Sequence, residues 1–123
     1  MMGAILWYEP MQRTLQNATI AAGNGVTLDL LGKYTTVSLQ VAGTVADVNI
    51  HFEGSIDGVN WVSVAGYGVT AGNGVVVAGA AEGVFSIPVA GLNYFRGRRS
   101  GVGVGAVTVT AVATGAPGMQ VVI

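Results

Sequence analysis

The sequence contains no cysteine and a single histidine, His51, in 123 residues. Without cysteine there are no disulfides, no thiolate metal ligands and no cysteine nucleophile. One histidine and no thiol leave a zinc centre short of donors. Charge is scarce as well. Asp, Glu, Lys and Arg make up 9% of the chain, against about 25% in an average globular protein. The formal net charge is −1, so neither nucleic acid nor an anionic membrane is expected as a partner. Mean hydropathy is nonetheless high, at +0.61.

A membrane does not account for that hydropathy. The long uncharged stretches Gly58–Ala81 and Ser100–Ile123 could span a bilayer by length. Both, however, are dense in glycine and interrupted by Asn, Ser or Thr. Thr108 and Thr110 alternate with Val107 and Val109, which is a strand period. The aromatic girdles of an outer-membrane barrel are missing. The start, "MMGAILWYEPMQR", has no basic residue before its apolar patch and no small-residue cleavage site after it, so no secretory signal is expected. What remains is burial against other protein chains, since obligate interfaces are depleted in charge.

What the chain does have is strand pattern and 20 glycines. "NATIAA" and "GVTLDL" flank the turn signal "GNG". "TTVSLQVAG" puts Val37, Leu39 and Val41 on one face, and "DVNIHFEG" does the same with Val48, Ile50 and Phe52. "WVSVAG", "GVVVAGA", "VFSIPVAG", "NYFRGRRS" and "AVTVTAVAT" follow, with turn residues between them. No helical period stands out. The expected fold is all-β: one antiparallel β-sandwich or jelly roll of about eight or nine strands. Pro88 marks an edge strand or a bulge.

Three segments divide the chain. Residues 1–16, with Ile5, Leu6, Trp7, Tyr8 and Met11, read as an extended N-terminal arm, because Pro10 blocks a helix. Residues 17–115 form the sandwich. Residues 116–123 are an apolar tail ending in Val121, Val122 and Ile123. Apolar termini are normally docked, either on their own sheet edge or on a neighbouring subunit by strand addition.

No catalytic set is visible. His51 sits mid-strand, facing away from Ile50 and Phe52, and nothing near it in sequence completes a triad. "GVGVG" lacks the Lys-Ser/Thr of a phosphate loop. Asp57 and Asn60 stand without the further acids of a calcium loop. No cofactor or metal site and no enzymatic activity are expected. "YFRGRRS" gathers Arg96, Arg98 and Arg99; Tyr94, Arg96 and Arg98 share one face and Arg99 takes the other. These arginines either pair across strands with acids such as Glu53 or Asp47, or offer a rim to an acidic partner.

The string "FEGSIDGVNW" fixes a hairpin. A two-residue turn at Asp57-Gly58 would pair Phe52 with Ser63 and split the apolar sets. An odd-length loop pairs Gly54 with Val62 and Phe52 with Val64, so Ile50, Phe52, Val62 and Val64 share a face. Asp57 then closes the loop through backbone N–H groups. Trp61 then falls on the opposite face with Glu53 and needs a cover, from the arm or a partner; the alternative is a bulge at Gly54 that returns it to the core.

"FEGSIDGVNW" followed by "AGLNYFRGRRSGVGVGAVTVTAVAT" resembles a pattern found in virion structural proteins of tailed bacteriophages. Phe52, Gly54, Ser55, Asp57, Gly58, Asn60, Trp61, Tyr94, Arg96 and Arg98 carry it over about Val37–Thr114, while Gly97 and Arg99 depart from it. The resemblance implies a virion β-sandwich assembled in the host cytoplasm. It implies most readily a capsid decoration protein, a homotrimer cementing the major capsid protein. A tail or baseplate component stays open. So does a carbohydrate-binding module, through a weaker similarity to galactose-binding-like sandwiches, with Trp61, Trp7 or Tyr67 as stacking platforms.

Overall fold

The computed structural model describes residues 5–7, 9–69, 75–76, 78–79, 82–115 and 120–122. Among these there is no helix, so none crosses a membrane. Thirteen strand segments run in order: β1 (Ile5–Trp7), β2 (Met11–Thr19), β3 (Leu28–Asp29), β4 (Thr36–Gly43), β5 (Asn49–Ser55), β6 (Val62–Ser63), β7 (Gly66–Gly68), β8 (Val75–Val76), β9 (Ala78–Gly79), β10 (Gly83–Pro88), β11 (Tyr94–Ser100), β12 (Val107–Thr114) and β13 (Gln120–Val122). All pairings are antiparallel. A six-stranded sheet has the order β2-β12-β4-β10-β7-β8; a five-stranded sheet has the order β3-β11-β5-β6, with β9 also on β5.

The two sheets bury the alternating apolar sets against each other. Val37, Leu39 and Val41 of β4, Val107, Val109, Ala111 and Ala113 of β12, and Phe85 and Ile87 of β10 come from one side. Ile50 and Phe52 of β5 and Phe95 of β11 come from the other. The Phe52 and Phe85 rings meet between the layers, with centroids 5.3 Å apart and planes tilted by 55°, a geometry aromatic quadrupoles favour.

Two runs expected as single strands divide between the sheets. "WVSVAG" becomes β6 on the five-stranded sheet and β7 on the six-stranded one, and "GVVVAGA" returns as β8 and β9. Gly66, where β7 begins, makes room for Ile87, which stands 2.7 Å from where a Cβ would lie. Pro88 ends β10, past Phe85 and Ser86, the residues paired with β7, so its missing N–H faces no neighbouring strand there.

The expected boundary at residue 16 falls inside β2, which pairs with β12 as a full edge strand. Leu15 and Gln16 are both buried. The β2–β12 register shifts near Val109 and Ala18 has φ 49°. A bulge of this kind breaks the alternation and turns two successive residues inward. "NATIAA" is accordingly not a strand of its own. Of the arm and tail, Ile5, Leu6 and Trp7 pair with Val122, Val121 and Gln120 as a terminal ribbon. Tyr8 and Ile123 lie outside the described residues.

Candidate functional site

The chemistry-bearing side chains converge on the outer face of the five-stranded sheet. Strand alternation places Tyr94, Arg96, Arg98 and Ser100 of β11 opposite Ser55, Glu53, His51 and Asn49 of β5. Glu53 is the hub. One of its oxygens accepts from Arg96 Nε at 2.8 Å and the other from Arg98 Nε at 3.1 Å. Glu53 is only 8% exposed. Desolvation pushes its carboxyl up, but hydrogen bonds and charge from Arg96 and Arg98 outweigh this and hold it below the ordinary value. Two cations share one anion, so the face is locally positive.

Arg96 also stacks its guanidinium over Trp61, 4.2 Å from the ring centroid. That contact is a cation–π pair, and it supplies the indole's cover from within the chain. Beside it, His51 Nε2 lies 2.6 Å from Ser100 Oγ. The expected pairing of the arginines with Glu53 is therefore present for Arg96 and Arg98.

Arg99 is a correction. It is 1% exposed and points into the sandwich, so it offers no rim to a partner. Its guanidinium donates to the carbonyls of Thr19 and Gly103, and Gly23 holds its backbone on both sides. Buried charge demands such partners. The sequence signal was its parity with Phe95. One accepting carbonyl, Gly103, stands four residues on, but the other, Thr19 at the end of β2, is 80 residues away. Gln16 was missed for the same reason; its Nε2 donates to the carbonyls of Gly23 and Gly97.

The hairpin register is as the apolar pattern requires. Gly54 pairs with Val62, Glu53 with Ser63, and Val64 N donates to Phe52 O at 2.8 Å. Asp57 closes the loop: its Oδ1 accepts from the N–H of Val59 and of Asn60, each at 2.8 Å, and its Oδ2 accepts from Asn60 Nδ2 at 2.7 Å. Those bonds hold its carboxyl well below the ordinary range. Gly58 takes φ 75°, where the Tyr94 ring would crowd a Cβ at 3.3 Å. Gly54 is small because Leu92 lies over it, 2.4 Å from where a Cβ would stand. Val62 departs from the expected core face and is 60% exposed. Leu92 occupies the space above Gly54, and β6 lies at the sheet edge. Ile56, Val62 and Leu92 then line a shallow apolar depression next to the loop.

The arrangement is a two-layer β-sandwich with an aromatic and cationic outer face. No family model matches the sequence, and no curated protein matches it. The fold, however, is shared with solved phage-derived proteins. The SPBc2 prophage-derived protein YomS superposes with a TM-score of 0.76 at 16% identity, over 85% of this chain and 92% of that one. The PBSX exported protein XepA superposes with a TM-score of 0.78 at 14% identity. That match covers 85% of this chain but only 37% of XepA.

Proposed function

We propose that the protein is a non-enzymatic phage structural protein, which docks on other virion proteins through the outer face of the five-stranded sheet. The observation that carries this reading is the Trp61–Arg96–Glu53–Arg98 cluster. Trp, Tyr and Arg are the residue types that dominate binding energy at interfaces, and Glu53 fixes both arginines before any partner arrives. The shared fold of phage-derived proteins and the low charge support the same reading. Within it, decoration of the head shell is the form that the hairpin resemblance favours. The Arg96 guanidinium over Trp61 occupies one indole face, which speaks against that ring as a sugar platform.

The test is to purify phage particles from a lysate and probe heads and tails with gold-labelled antibody. The expected result is the chain on heads, and its loss from particles when Arg96→Glu and Arg98→Glu are combined. Label on tails alone overturns decoration and keeps a structural role; absence from particles overturns both. Deletion of residues 1–8, which spares β2, tests whether the terminal ribbon adds to the docking.

A second reading follows from XepA, which is an exported protein. In it this chain acts outside the particle. Recovery from the culture medium and not from particles would favour it.

A further inference from the structure

The six-stranded sheet has an outer face of its own, and it is chemically unlike the other. A shallow groove crosses it, lined by Gln12 of β2, Thr110 and Val112 of β12, Ser38 and Gln40 of β4, and Val84 of β10. Tyr67 of β7 lies on the same sheet, 55% exposed, paired with Ser86 next to Val84. Among the described residues no charged side chain lines the groove. The nearest stand at the margins: Glu82 accepts from Gly43 N at one corner, and Arg13 on the edge strand bends to its neighbour's carbonyl.

We propose that this face binds a second copy of the chain, sheet against sheet, about a two-fold axis. Three observations carry it. The first is charge. At a two-fold axis a patch meets its own image. A charged patch would then face like charge, as the five-stranded face would with its two arginines to one glutamate. The uncharged face carries no such penalty.

The second is hydrogen bonding. Ser, Thr and Gln each hold a donor and an acceptor, so an identical residue is an adequate partner. On the axis a residue meets its own image and off it residue i meets residue j, so Ser38, Gln40, Gln12 and Thr110 are adequate partners for themselves or for one another. Val84, Val112 and Tyr67 supply apolar contact between them.

The third is area. The eight residues of β4 span about 26 Å, and four strands from β2 to β10 span about 19 Å. That gives about 500 Å² per copy before side-chain relief, or about 1,000 Å² in all. A specific interface has to clear about that area. Sheets pack face to face at about 10 Å, so no backbone change is needed.

The test is sedimentation of the full chain across a concentration series. The expected result is a dimer. Ser38→Glu and Ser38→Lys should each weaken it by at least about tenfold, and mixing the two variants should restore it. Gln40→Glu and Gln40→Lys form a second pair should either Ser38 variant fail to fold. Val102→Glu, in the exposed turn after β11, should leave the mass unchanged. A monomer at all concentrations overturns the proposal. So does a trimer, or any assembly indifferent to the Ser38 and Gln40 substitutions. Particle binding is read separately, so the dimer can fail while the docking role stands, and the reverse.

Discussion

The two outer faces of the sandwich share one backbone geometry and differ in how they hold charge. On the five-stranded sheet, a nearly buried glutamate gathers two arginines and one of them lies on an indole. On the six-stranded sheet, hydroxyls, amides and valines surround an uncharged groove. The one cluster of ion pairs among the described residues stands on the first face. The difference teaches that exposure alone does not define a contact surface. The first face is prearranged by its own ion pairs, whereas the second has nothing to arrange and is free to meet its image.

Removing the hub should have the largest effect. Glu53→Ala leaves two guanidiniums side by side with no anion between them. Breaking a buried pair costs several kcal/mol, and the partial exposure of Arg98 discounts that through solvent screening. The expected loss is about 2 kcal/mol, read as a lower urea midpoint with an unchanged slope. A loss within experimental error would mean that the face is held by its backbone alone.

Acid should weaken the same face next. The Glu53 carboxyl is lowered in the folded state from an ordinary value of 4.5. A lowered carboxyl contributes stability above its unfolded pKa, and that contribution is lost as pH falls through its folded pKa. Stability should therefore hold from neutrality down to about 4.5 and fall below it. Asp57 is lowered further, so its share should be lost at still lower pH. Urea midpoints of Glu53→Gln measured against pH should lose the first part of the acid limb and keep the second. The six-stranded face has no titrating group lining its groove, so Thr110 variants should keep the whole limb.

Much of the first face was legible in the sequence. Alternation in "DVNIHFEG" and the odd loop in "SIDGVN" fixed the β5–β6 register, which sets Glu53 opposite Ser63; the β11 ladder that brings Arg96 to Glu53 lies beyond that reading. Each inference was local, within one strand or across one turn. The failures were non-local. Arg99 is buried because the carbonyl of Thr19, 80 residues away, joins that of Gly103 in accepting from it. The extent of β2 was hidden by a bulge in its second half, between Thr14 and Thr19, that breaks the period on which strand reading depends. The switch of residues 62–79 between sheets was hidden because each run reads as one apolar strand with no turn signal where it changes sheet. The uncharged face was visible as Thr, Ser and Gln on alternate positions, but nothing in sequence placed those strands side by side.

The cation–π contact offers a finer probe of the first face. Arg96→Lys keeps the charge near Glu53 but loses the planar guanidinium over Trp61. The expected loss is about 0.5 to 1 kcal/mol, with a shift in the Trp61 emission in a Trp7→Phe background. An unchanged spectrum would mean that the indole has no need of its cover.

The smallest effect belongs to the second face, and it separates stability from association. Thr110→Val removes a hydroxyl from a half-buried, β-favouring position and keeps the branched shape. In the monomer this should change stability by no more than about 0.5 kcal/mol. If the face meets its image, the same substitution removes one self-matched donor–acceptor pair on each copy while adding apolar contact. Folding and dimer dissociation should then respond differently, with the midpoint of unfolding at low concentration nearly fixed and only the concentration dependence moved. Equal movement of both would tie the hydroxyl to the fold, and the two faces would then differ in composition but not in role.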